Sequence, residues 1–162
     1  MHTDISGWKT RLNEAMLARF TASGQWSGKT LSSSAAYWAT HAPANCAVVD
    51  DLTSLTFAEL YEKGLRLAAA LRSYGVVPGD VISFQLPNWH ETSVINVAAS
   101  LGGFVCNPIV PIYRDAEVGY ILKHSRTRVF FIPGHFRSMD YLAMVELGQM
   151  QKEQNLDAVV IK

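Results

Sequence analysis

The run Val81-Ile82-Ser83-Phe84-Gln85-Leu86 constrains this chain more than any other stretch. It is continuously apolar apart from Gln85 and the small Ser83, so it predicts a strand covered on both faces rather than one half-open to water. Pro87 ends it, and Asn88, with Glu91 three residues on, reads as the cap of a helix running through Ile95, Val97, Ala98 and Leu101. Gly102-Gly103 closes that helix, and Phe104 to Cys106 makes a short buried strand. Pro108 and Pro111 lack backbone donors and forbid an inner strand beyond it. Asp115 reads as the cap of a third helix with Val118, Ile121 and Leu122, and Lys123 and His124 suit its negative end. Arg128 to Ile132 is a strand, a fourth helix covers roughly Ser138 to Gln151, and Asp157 to Ile161 is a last strand. Strand and helix in strict alternation predict an α/β fold: a parallel wound sheet with flanking helices and right-handed crossovers.

Upstream the pattern changes. Cys46 to Asp51 and Ser54 to Phe57 read as two short strands in a small hairpin, at residues 46–57. Thr56 and Glu59 form a Thr-x-x-Glu box at the head of a helix whose apolar face carries Phe57, Leu60, Tyr61, Leu67, Ala68 and Leu71. Gly64 falls on that face and predicts close approach of a neighbouring element. Gly75 supplies the left-handed stop, and Pro78-Gly79-Asp80 a turn. Leu31 to His41 predicts another helix. In residues 1–30, Ile5, Trp8, Leu12, Met16 and Phe20 recur at steps of three and four, which predicts an amphipathic helix packed on the protein's own body, followed by a connector.

That connector contains Gly24-Gln25-Trp26-Ser27-Gly28-Lys29-Thr30, whose end imitates a phosphate-cradling loop. Such a loop needs glycine four residues before its Gly-Lys-Thr, and Ser23 stands there; nor is Phe20 to Ser23 long or apolar enough for the preceding strand. The stretch reads as a Gly/Ser-rich connector. No other glycine-rich phosphate loop occurs in the sequence.

Lys plus Arg equals Asp plus Glu at 14 each, so no basic field invites nucleic acid. Charged residues make up 17% and apolar ones 49%, too little charge to cover a surface fully, which predicts an apolar face meant for more protein. No apolar run of membrane-spanning length exists, and the first twenty residues lack the pattern of a signal peptide. Cys46 and Cys106 are expected as buried free thiols in a reducing, cytoplasmic setting. No metal-ligand spacing is visible along the chain.

Leu55-Thr56-Phe57-Ala58-Glu59-Leu60 and Ala99 to Ile109, "ASLGGFVCNPI", resemble the first two core motifs of the adenylate-forming superfamily, which includes acyl-CoA ligases, luciferases and peptide-synthetase adenylation domains. "LRSYGVVPGDVISFQLPNWHE" and "EVGYILKHSRTRVFFI" are similar to the stretches between and after them. The resemblance covers about Leu31 to Lys162, and "FQLPNW" and "NPIVPIYR" are nearest to the cyclohexanecarboxylate and medium-chain acyl-CoA ligase branch. It implies that residues 31–162 are an incomplete N-terminal α/β subdomain. It also implies a parent enzyme that uses ATP, Mg and coenzyme A to convert a carboxylic acid, through an acyl-adenylate, into its acyl-CoA, AMP and pyrophosphate. The family's phosphate loop, aromatic-Gly-x-Thr-Glu motif, ribose-binding aspartate and C-terminal lysine match no position here. The resemblance therefore assigns no catalytic, cofactor-binding or metal residue, and predicts a chain inactive alone that packs against the remainder of its parent or against itself. Phe104 departs from the family, standing where a small residue is usual, and Gly102 precedes the expected Gly103.

Several side chains could carry chemistry without needing to. Asn88 and Trp89 follow a strand's carboxyl end, where wound sheets bind ligands, yet capping and packing account for them. Arg114 could meet a phosphate or pantetheine, or form a surface ion pair. His90, His124 and His135 suit exposed or capping positions, and Asp50-Asp51 a hairpin turn. Two other readings stand beside the ligase fragment: a free-standing binding or scaffold module derived from that family, and an unrelated response-regulator-like sheet, for which only Asp50-Asp51 offers acids at a strand end.

Overall fold

The computed structural model describes residues 2–147 and 157–161. The chain opens as a two-residue antiparallel ribbon, β1 (His2–Thr3) with β2 (Lys9–Thr10), and not as the expected helix. The Asp4 carboxylate accepts from the Ser6 and Trp8 N–H groups and from the Ser6 hydroxyl, and Gly7 turns at φ +81°, which stops helical winding before Asn13. Asn13 then caps α1 (Glu14–Ala22), which buries no residue against the body. The Gly-Lys-Thr stretch follows this helix and no strand; Thr30 simply caps α2 (Leu31–His41), accepting from Ser33 N–H.

The hairpin forms as expected from β3 (Cys46–Val49) and β4 (Ser54–Thr56). Cys46 lies exposed beside Ser54 at the outer end of β3, where the pairing with β4 is irregular; the expectation of a buried thiol fails there. The Thr56–Glu59 box closes on α3 (Phe57–Ser73), whose Leu60, Gly64, Ala68 and Leu71 are buried.

Next comes β5 (Val81–Phe84), buried at every position as the sequence requires. α4 (His90–Gly102) follows, with Gly103 in the left-handed region at φ +71°. Asn88 is exposed and does not cap it: Trp89 holds the cap position, and the first N–H, that of His90, is met from the hairpin by Asp50 Oδ2 at 2.8 Å. β6 (Val105–Pro108) is an edge strand, as its proline demands. Asp115 is the first residue of α5 (Asp115–Ser125) and not its cap; Arg114 is, and its N–H is met by Glu117 Oε2 at 3.2 Å.

β7 (Thr127–Pro133) is buried at six of its seven positions. A tight hairpin, β8 (His135–Phe136) with β9 (Met139–Asp140), then occupies ground the sequence assigns to helix, so α6 (Tyr141–Leu147) starts three residues later than expected. Asp140 Oδ1 accepts from Ala143 N–H and ends the hairpin by capping that helix. The expected continuation to Gln151 lies outside the described residues. The last strand is β10 (Asp157–Ile161).

All pairings in the main sheet are parallel, in the order β10-β7-β5-β6. Ile82, Phe84 and Phe131 face α3 and α4 in one core. Phe130 and Ile132 face Val118 and Leu122 of α5 and Tyr141 and Val145 of α6 in the other. Because β6 and β7 flank β5 on opposite sides, the connections leaving β5 and β7 diverge. That divergence makes the carboxyl ends of these strands a topological switch point, the kind of place where wound sheets take ligands.

Candidate functional site at the switch point

The switch point lies between the segment after β5 and the hairpin after β7. Trp89 and Phe136 meet there edge to face, ring centroids 5.7 Å apart at 88°. Arg137, left-handed at φ 56°, sets its guanidinium 5.3 Å from the Phe136 ring. His135 Nε2 lies 3.2 Å from Asp140 Oδ2 on the exposed side of the same hairpin.

A third wall is the two-proline loop between β6 and α5. Its carbonyls turn inward: the fully buried Gln85 donates from Nε2 to Val110 O at 3.1 Å and Tyr113 O at 3.0 Å, and Tyr141 Oη donates to Pro111 O at 2.9 Å. The loop's side chains consequently turn outward, leaving Val110, Ile112 and Tyr113 exposed, with Tyr120 of α5 nearby. Arg114 donates from Nη1 to the carbonyls of Pro111 and Tyr113, both at 3.0 Å, and so braces its own loop instead of pairing with an acid among the described residues. Gln85 was legible only as a polar interruption in an apolar strand; its task needs the loop folded over it.

A second cluster lies where the β3–β4 turn meets α4. Asp50 Oδ2 accepts from both the main-chain N–H of His90 and the ring Nδ1, each at 2.8 Å, while Oδ1 accepts from Leu52 and Thr53 N–H at 2.9 and 2.8 Å. Glu91 Oε2 approaches the same Nδ1 at 3.3 Å. Asp50 therefore does more than shape its turn, and His90 is half-buried, not exposed. Forty residues separate the two, so no spacing rule could have paired them. Asp51 takes no part.

The His90 N–H first, then its ring, then Leu52 N–H hold the Asp50 carboxyl well below the ordinary carboxylate range. A depressed folded-state pKa contributes stability that is complete above the unfolded value and lost as pH falls below it. The urea midpoint of the wild type should exceed that of Asp50→Asn by a constant margin above about pH 5, and the margin should shrink below about pH 4. A margin that ignores pH would mean the carboxylate charge is irrelevant to this contact. Cys106, half-buried in β6, is the opposite case: burial pushes its thiol up to about 11, so it is no nucleophile at neutral pH.

A parallel sheet wound with helices on both faces defines an α/β domain. Residues 35–161 match the family model described as AMP-binding enzyme, and the chain belongs to that family. It is 32% identical over 154 residues to the medium-chain fatty-acid–CoA ligase of Escherichia coli K12, covering 90% of this chain and 27% of that protein. It is 30% identical over 135 residues to the 2-hydroxy-7-methoxy-5-methyl-1-naphthoate–CoA ligase of Streptomyces carzinostaticus, covering 83% of this chain and 24% of the relative. Among solved structures, Mycobacterium smegmatis MbtA superposes with a TM-score of 0.76 at 25% identity, over 93% of this chain and 28% of the other. The chain thus spans about a quarter of the length of the relatives it matches. No helix among the described residues is long and apolar enough to cross a membrane.

Proposed function

We propose that this chain is the N-terminal part of an AMP-forming acyl-CoA ligase, residues 1–30 being its lead-in segment and 31–162 an incomplete α/β subdomain. In the complete enzyme a carboxylate attacks the α-phosphate of Mg-bound ATP, releasing pyrophosphate, and the thiol of coenzyme A then displaces AMP from the acyl-adenylate. The observation that carries the reading is the family match over residues 35–161, joined to relatives named as CoA ligases. Developing negative charge on a transferred phosphoryl group needs several converging donors and cations. At this switch point Arg114 braces its own loop through Nη1 and Arg137 lies over Phe136, so the two cations do not converge with further donors on one point. The residues present do not fit ATP, Mg or coenzyme A, so none is assigned to them and the chain alone is inactive. Its role is to build one wall, with the outward Val110, Ile112, Tyr113 and Tyr120 covered by the remainder of the same protein in the cytoplasm.

Calorimetric titration of Mg-ATP into residues 1–162 should give no heat of binding at concentrations up to about 1 mM, a standard free energy weaker than about −4 kcal/mol. Extending the polypeptide with whatever coding sequence follows Lys162 should bring pyrophosphate exchange dependent on a medium-chain or aromatic acid. Micromolar ATP binding by the chain itself, or a downstream frame without a Ser/Thr/Gly-rich loop ending in lysine, overturns the proposal.

A further inference from the structure

Two carboxylates and one imidazole converge between the β3–β4 turn and the first turn of α4. Asp50, His90 and Glu91 each offer one donor atom, and all three atoms lie within 4.8 Å of one another. The Asp50 side chain is 5% exposed and that of Glu91 25%. Glu91 Oε2 is closed off from solvent yet accepts no hydrogen bond. Nδ1 carries at most one proton, and Asp50 takes it at 2.8 Å, leaving Glu91 at 3.3 Å without a donor. An ionised oxygen shut away from water and unpaired is costly, and here a second carboxylate adds repulsion. The cluster sets two carboxylates against a single imidazole.

We infer that Asp50, His90 and Glu91 bind a divalent first-row transition metal of the zinc type. One imidazole with two carboxylates suits Zn²⁺ or Co²⁺; Ca²⁺ asks for six or more oxygens, and Mg²⁺ for oxygens and water. Ligand atoms around tetrahedral zinc stand about 3.3 Å apart, so the Nδ1–Oε2 spacing already fits and the 2.8 Å Asp50 contact must open slightly. On binding, the single ring proton passes from Nδ1 to Nε2 by exchange with solvent, with no net release, and the Nδ1 lone pair goes to the metal. Asp50 Oδ2 and Glu91 Oε2 supply two more bonds and water the fourth. The dication balances the two carboxylates. Leu52 and Thr53 N–H, on Asp50 Oδ1, are the outer groups that keep the ligand aimed. The site rivets the hairpin to α4 and is independent of the ligase reading.

Visible absorption during Co²⁺ titration of metal-free residues 1–162 tests this. The expected result is a d–d band saturating at one equivalent and bleached by one equivalent of Zn²⁺. Glu91→Gln keeps both Asp50–His90 contacts, should unfold in EDTA at or above the wild-type temperature because it removes the unpaired charge, and should bind Co²⁺ at least about 10-fold more weakly. His90→Gln should abolish the band, while His135→Gln, at the exposed histidine of the other hairpin, should leave it intact. Absence of a stoichiometric band, equal affinity in Glu91→Gln, or loss of the band in His135→Gln would overturn the assignment.

Discussion

Leucine at position 64 is expected to abolish the cooperative unfolding transition of residues 1–162. Gly64 lies on the buried face of α3, and a Cβ built there would stand 2.6 Å from Val97 Cγ1 and 3.1 Å from Val97 Cβ of α4. Rotating Val97 can relieve the first contact only in part, because a β-branched side chain in a helix has one favoured rotamer, and no rotation moves its Cβ. Val97 is itself 2% exposed, so the helices must separate. Alanine is the finer probe. It gains about 1 kcal/mol of helix propensity over glycine, against about 1–3 kcal/mol for overpacking. Gly64→Ala should therefore lower stability by up to about 2 kcal/mol in urea titration followed by circular dichroism. A more stable alanine variant would show that the α3–α4 approach is looser than these distances state.

Truncating Phe104 should cost about 3–5 kcal/mol, the range for removing a buried aromatic ring. Phe104 is 7% exposed and belongs to the core formed by Leu71, Ile82, Phe84 and Ile95. Its ring occupies the space that a Cβ on Gly102 would enter, touching that position with Cε2 and Cζ. The two departures from the family pattern thus compensate each other: glycine at 102 makes room for the ring at 104. A double-mutant cycle measures this directly. Gly102→Ala should be strongly destabilising alone and nearly neutral in a Phe104→Ala background, a coupling of about 1–3 kcal/mol. Additive effects would mean the ring can move aside freely.

Elements whose cause is local were legible residue by residue. The Thr56–Glu59 box, the α2 limits at Leu31 and His41, and the four buried positions of β5 needed only their own neighbourhood. Only the second half of the expected N-terminal helix forms, carrying Met16 and Phe20 in α1, because Asp4 and Gly7 make a turn upstream and Trp8 packs from that turn against His124 and Arg126. The head of α6 was misplaced because His135 to Asp140 close a hairpin, and Asp140 then caps the helix. Asn88 looked like a cap in sequence, yet the helix beside it takes its acceptor from Asp50, brought there by a hairpin.

By itself the sequence determined that this is a parallel wound sheet, since buried strands and amphipathic helices announce themselves through the spacing of apolar residues along a few turns or pleats. Only the tertiary structure decided that Trp89 meets Phe136, that Gln85 holds the two-proline loop, and that Asp50, His90 and Glu91 share one pocket of charge. Periodicity encodes which face of an element is apolar. It does not encode which distant element will cover that face, because that choice is made by packing and by the need to satisfy buried polar groups once the chain has closed.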